Sequence, residues 1–152
     1  MKDFKKTLIE LHACEEAMIW IGDKDFKTFY DTCERGDWLL WLYARTNKDD
    51  LRGLTLAKAH CANTVRHLMN DKRSTDAIDV AILFGEGKAT LEQLNAASLA
   101  AYYAYDTSAS YASLAAALAA TASSFAAQKQ NQQLTADICR KYLPIENFNI
   151  NF

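Results

Sequence analysis

A single proline, Pro144, and five glycines punctuate 152 residues, and this scarcity constrains the fold more than any other feature. Sheet proteins of such length need many Gly-rich and Pro-rich turns, whereas a chain with few breaks spends its length in helices. The stretch from Ala96 to Ala127 points the same way. About half of it is alanine, the best helix former because it loses no side-chain entropy. With 50% of its residues apolar, the chain can bury a core without disulfides or a metal. The expectation is an all-α fold: one compact multi-helix bundle over 1–152, with a central Trp-rich helix and long Ala-rich C-terminal helices.

Hydrophobic spacing places the individual helices. Leu8, Leu11, Met18 and Ile21 predict one helix over 7–21, ended by Gly22-Asp23. A short helix over 25–33 carries Phe26, Phe29 and Tyr30. Asp37 reads as the N-cap of a third helix. Its run Trp38-Leu39-Leu40-Trp41-Leu42-Tyr43 is apolar on every face and so belongs at the centre. Asp49 or Asp50 caps a fourth helix reaching about Asn70. Leu51, Leu54, Cys61, Val65 and Leu68 form its apolar stripe, with Arg52, Lys58, Asn63 and Arg66 opposite. Ser74 or Thr75 caps a fifth helix, which Gly85 and Gly87 stop. Thr90-Leu91-Glu92-Gln93 has the spacing of a capping box and opens a sixth. Tyr102, Tyr105, Tyr111, Leu114, Leu118 and Phe125 then mark one buried stripe, on one helix or on two broken at Asp106-Thr107-Ser108. A last segment over 134–142 shows Leu134, Ile138 and Tyr142 on one face, ends at Pro144, and leaves a tail to pack on the core. Small alanines let helix axes approach closely, so the Trp-rich helix is expected to clasp the Ala-rich part.

Charge and cysteine usage exclude several classes. A net charge of −2 and an isoelectric point near 5.9 provide no basic footprint for nucleic acid, and suit a basic protein partner without deciding for one. Residues Met1–Leu11 carry early charges and no long apolar run, so no secretory signal is expected. Cys14, Cys33, Cys61 and Cys139 include no C-x-x-C pair and read as reduced thiols of a cytoplasmic protein. Ser110–Ala127 is uncharged and nearly long enough to span a bilayer. Alanine, serine and threonine supply little transfer energy, however, and the mean hydropathy is −0.20, so no membrane span is expected.

Candidate chemistry is sparse. His12 with Cys14 and His60 with Cys61 could supply zinc donors, but on a helix neither spacing lets two side chains converge. Buried thiols acting as small apolar groups are the preferred account. Gly85-Glu86-Gly87-Lys88-Ala89-Thr90 resembles a phosphate loop only faintly: Ala89 stands where Ser or Thr must follow the lysine, and Ile82 where the first glycine belongs. No G-x-S-x-G or H-E-x-x-H occurs. No catalytic, cofactor-binding or metal-ligating residue is assigned. Two polar groups remain. His60 and His67, seven residues apart, would share a helix face, read first as solvated surface. Glu15, Glu16, Glu34, Arg35 and Asp37 flank Trp20, Trp38 and Trp41, taken as buried. Arg35 is expected to pair with a carboxylate of the first helix and so fix a turn. The functional reading is that the acidic members face a basic partner surface.

One set of residues resembles a known family. Ala13-Cys14-Glu15-Glu16-Ala17 with Trp20, Gly22-Asp23-Lys24, and Cys33-Glu34-Arg35-Gly36-Asp37-Trp38-Leu39-Leu40-Trp41-Leu42 are similar to immunity proteins of bacterial polymorphic toxin systems. Gly87 with Ala89-Thr90-Leu91-Glu92, the Tyr-dotted Ala-rich middle, and Ala136–Pro144 extend the likeness over most of the chain. The resemblance implies an all-α fold and a non-enzymatic role, binding a cognate toxin protein. Relatives have denser alanine with Arg and Asp interspersed where Ser and Thr stand here, between Thr107 and Ser124. Trp38 and Asp37 look architectural. The partner-binding candidates are Glu15, Glu16, Glu34, Arg35, His60 and His67. The alternatives are a structural or regulatory module that self-associates into a homo-oligomer, and a metal-binding helical protein.

Overall fold

Short carboxylates start half of the described α-helices in the computed structural model, which describes residues 3–103 and 125–150. Asp3, Asp25, Asp50 and Asp71 each accept a hydrogen bond from a backbone N–H of the first turn they precede, at 3.2, 2.7, 2.9 and 2.8 Å. Thr90 and Gln93 close the expected capping box: the Gln93 N–H donates to Thr90 Oγ1 (3.2 Å) and the Thr90 N–H to Gln93 Oε1 (2.8 Å). The described residues form eight α-helices and no strand. They are α1 Phe4–Glu10, α2 Glu15–Ile21, α3 Phe26–Thr32, α4 Gly36–Thr46, α5 Leu51–Asn63, α6 Lys72–Gly85, α7 Leu91–Tyr103 and α8 Phe125–Tyr142. Turns of 3₁₀ helix follow α5 at Arg66–Leu68 and α8 at Ile145–Asn147.

The chain is an all-α multi-helix bundle. Its main core runs from Phe4 and Leu8 through Phe29, Leu39, Leu42 and Tyr43 to Cys139, Leu143 and Phe148. α4 packs on α8, while most of the Ala-rich stretch it is expected to clasp lies outside the described residues. Gly36, the first residue of α4, presses on α8 so closely that a Cβ would lie 2.5 Å from Thr135 Oγ1 and 2.6 Å from the Thr135 carbonyl carbon. Ala136 and Cys139, both fully buried, continue that small-residue seam. Arg140 of α8 donates from Nε to the Tyr30 carbonyl (2.8 Å) and from Nη2 to the Cys33 carbonyl, satisfying the C-terminal end of α3. A smaller core of Ala59, Ala81, Phe84 and Leu94 joins α5, α6 and α7. The tail packs as expected as far as Ile150: Phe148 is buried against Phe26, Tyr30 and Tyr43.

Several boundaries depart from the periodicity. The helix expected over 7–21 is two. After α1 the chain turns at His12, whose φ is +59°, while the Ala13 N–H donates to the Leu8 carbonyl and the His12 N–H to the Ile9 carbonyl, both at 3.0 Å. This is a Schellman stop with histidine where glycine is usual. Asp37 is not the cap of α4; Arg35 holds that position, and Asp37 lies in the first turn with its carboxylate turned onto Arg35. α5 ends at Asn63 and not near Asn70, and Asp71 replaces Ser74 or Thr75 as the cap of α6, with Ser74 buried inside the helix. On α8 the buried face is Thr135, Ala136 and Cys139, whereas Leu134 is exposed. The core contacts select that face because small groups fit against Gly36. The expected stripe from Tyr105 to Leu118, the break near Asp106 and most of Ser110–Ala127 lie outside the described residues. Among the described residues no helix is long and apolar enough to cross a membrane.

Candidate functional site

The all-round apolar run of α4 turns out to have two unlike faces. Leu39, Leu40, Leu42 and Tyr43 are buried. Trp38 and Trp41, three apart and therefore neighbours on the helix surface, are only half-buried. They form one wall of a cleft of about 650 Å³ bounded by the 11–14 turn, α2, α4 and Lys58 of α5. Ala13 and Ala44 add apolar surface to the two tryptophans, and the buried Leu8, Ile21, Leu40 and Leu42 lie beneath that lining.

Arg35 is the hub of the cleft's rim. Its Nε and Nη2 donate to the two oxygens of Asp37 at 2.9 and 2.7 Å, a planar fork on a planar carboxylate, and its Nη1 donates to Glu16 Oε1 at 3.0 Å. The guanidinium carbon lies 4.6 Å from the centre of the Trp38 ring. Its hydrogen bonds to Asp37 push its pKa further up, against the opposing effect of burial. Trp38 in turn meets the edge of Trp20 at 5.8 Å, and Trp20 meets Phe29 at 6.1 Å. The expected pairing of Arg35 with a carboxylate of the N-terminal region is thus present, and it ties α2 to the start of α4.

The predicted residues divide. Glu16 and Arg35 meet on the rim. Glu15 and Glu34 are their chain neighbours, both exposed, and Glu34 Oε1 accepts from Gln133 Nε2 of α8 at 3.0 Å. His60 and His67 do not share a face, because α5 ends between them and His67 sits in the following 3₁₀ turn. His60 stacks flat on Tyr142, centroids 4.2 Å apart and planes 4° apart. Burial, and after it the Lys141 charge, hold its pKa below the ordinary imidazole value. The His–Cys pairs diverge as well. His12 and Cys14 are exposed at the turn before α2, while Cys61 is buried with its sulfur 4.0 Å from that of Cys139. Among the described residues no group of three or more His, Cys, Asp or Glu side chains is placed to hold a metal ion. Around 85–90, Gly87 (φ +78°) ends α6 and Thr90 caps α7.

Three cleft residues were not anticipated as such. Trp38 and Trp41 read as buried in sequence, yet their i, i+3 spacing with Arg45 at i+4 marks a half-exposed face; the Arg45 guanidinium lies 5.7 Å from the Trp41 ring centre. Lys58 looks like part of the polar side of α5. It follows Leu54 by four residues and precedes Cys61 by three, which places it in the apolar stripe itself. The structure leaves it half-buried in the cleft wall.

Comparison with protein-family models, with curated proteins and with solved structures returned no match to this chain.

Proposed function

We propose that this chain is an immunity protein that binds and neutralises a cognate bacterial toxin by protein–protein contact, without catalysis. The reading rests on the likeness of the 33–42 block to that family. The observation that carries it to a surface is the ordered acidic rim. Glu16 is held by Arg35 and Glu34 by Gln133, and Glu15 stands beside them in the first turn of α2. Carboxylates fixed before contact lose less side-chain freedom on binding. The first fifty residues hold eleven of the nineteen acidic side chains against eight of the seventeen basic ones, so this end of the chain favours a basic surface. Such a contact speeds encounter with a cationic toxin and weakens as salt is raised.

The test is coexpression with the toxin domain encoded beside the gene. Growth protection and a complex that co-purifies are expected. Reversing Glu15 and Glu34 together to lysine should slow association at least about tenfold at low salt, and less at high salt. Absence of both protection and complex overturns the reading; protection insensitive to the charge reversals moves the contact off this rim.

A further inference from the structure

Lys58 is the one charge in the cleft whose environment does not account for it. On the rim, Arg35 is shared by two carboxylates, Asp37 and Glu16, and both bond to its guanidinium. Lys58 has no acidic partner among the described residues, and burial alone lowers its pKa, with no charged neighbour contributing. An ammonium half-removed from water loses hydration that only an anion or a hydrogen-bond acceptor returns. Much of the cleft is suited to apolar groups: Trp38 and Trp41 form one wall, with Ala13 and Ala44 beside them and buried leucines beneath. A volume near 650 Å³ falls in the range of small-molecule sites, which are mostly apolar with a few polar groups that orient the ligand.

We propose that this cleft binds a small monocarboxylate with an apolar body, the carboxylate pairing with Lys58 and the body lying against Trp38 and Trp41. Lys58 has no contacting carboxylate among the described residues, so one anionic head group can pair with it directly. A dianion would leave its second charge in an apolar wall, and a cation would meet Lys58 with like charge. Glu16 and Asp37 stay on Arg35, so the rim excludes further anions. This proposal does not rest on the toxin reading, although Glu16 belongs both to the cleft rim and to the acidic surface proposed for that contact.

Decanoate, 1-decanol and decylammonium share one chain and differ in head charge, so they test the proposal on the full-length protein. Two of the three tryptophans line the cleft and the third touches Trp38, so tryptophan emission reports occupancy directly. Titration calorimetry should give one saturable site for decanoate. Decanol should bind roughly tenfold or more weakly, as loss of a hydrogen bond to a charged group implies, and decylammonium more weakly still. Lys58→Met should reduce decanoate to the affinity of decanol, Lys58→Arg should keep the preference, and Ala44→Phe, at the cleft wall, should block both ligands. Circular dichroism confirms that each variant is folded. Equal affinity of the wild type for decanoate and decanol, or no saturable binding, overturns the proposal without reference to any variant. Decanoate binding unchanged in folded Lys58→Met does so as well.

Discussion

Gly36→Ala sets two effects of opposite sign against each other at the seam between α4 and α8. Helix propensity favours alanine over glycine by at most about 1 kcal/mol, and less at a first helical position. Packing opposes it. The added methyl would stand 2.5 Å from Thr135 Oγ1, 2.7 Å from its Cβ and 2.6 Å from its carbonyl carbon. A hydroxyl can rotate away, but a carbonyl carbon moves only with the whole of α8. Overpacking of this kind costs about 1–3 kcal/mol, and a clash with backbone belongs in the upper half. The net loss is then about 1–2 kcal/mol. At about 2–4 °C per kcal/mol for a chain of this size, thermal unfolding should fall by about 2–8 °C. Circular dichroism melts and urea midpoints read the effect. A second variant sharpens the argument: Thr135→Ala removes the hydroxyl contact and leaves the other two, so it should restore only a minor part of the loss in the double mutant. Unchanged or raised stability in Gly36→Ala would refute the close approach, and with it the placement of α4 on α8.

Other measurements follow from the same contacts. Arg140→Met strips donors from the Tyr30 and Cys33 carbonyls and should cost about 2–4 kcal/mol in urea unfolding, with Arg140→Lys recovering only part. Asp71 has its pKa lowered to about 2, first by the Arg73 side chain and then by the Arg73 backbone N–H. A carboxyl depressed on folding stabilises above its ordinary value near 3.8 and loses that contribution as pH falls toward 2, so Asp71→Asn should flatten stability over that acid window. Of the four cysteines, exposed Cys14 should react with Ellman's reagent in the native protein, and the other three only on unfolding. Burial pushes the Cys33 thiol up to about 11, and a hydrogen bond with Cys61, then burial, raise that of Cys139. Fast reaction of more than one thiol would place a second cysteine outside the core.

Helix existence was legible in the sequence wherever a short-range device repeats a stereotyped pattern. Asp50, one of two candidates there, and the Thr90–Gln93 box need only their own first turn, and capping signals found them. Boundaries that depend on tertiary partners were not legible. His12 adopts a positive φ without the glycine that ordinarily announces such a turn, so the break between α1 and α2 left no mark in composition. Asp37 has the chemistry of a cap, but Arg35 competes for its carboxylate with two charge-assisted hydrogen bonds. On α8, hydrophobicity favoured Leu134, while the space beside Gly36 admits only small side chains. Size outranked apolar character at that face.

The candidate site divides along the same line. The Arg35 cluster was readable because opposite charges close in sequence have few other places to go. The cleft was not, because a helix that is apolar all round is assigned to the interior, and burial is decided by which neighbours arrive. α8 covers the Leu39 side of α4, and no described helix covers the Trp38 side to the same extent. Lys58 shows how a single residue can carry the missing information. In a stripe running Leu54, Lys58, Cys61, Val65, the natural reading moves the cation to the polar side. Strict 3.6-residue geometry keeps it in line, so either the lysine snorkels to water or the wall it occupies opens onto a cleft. In this fold the second condition holds: Lys58 lines the cleft wall, so the apolar stripe of α5 passes there from the core to the cleft.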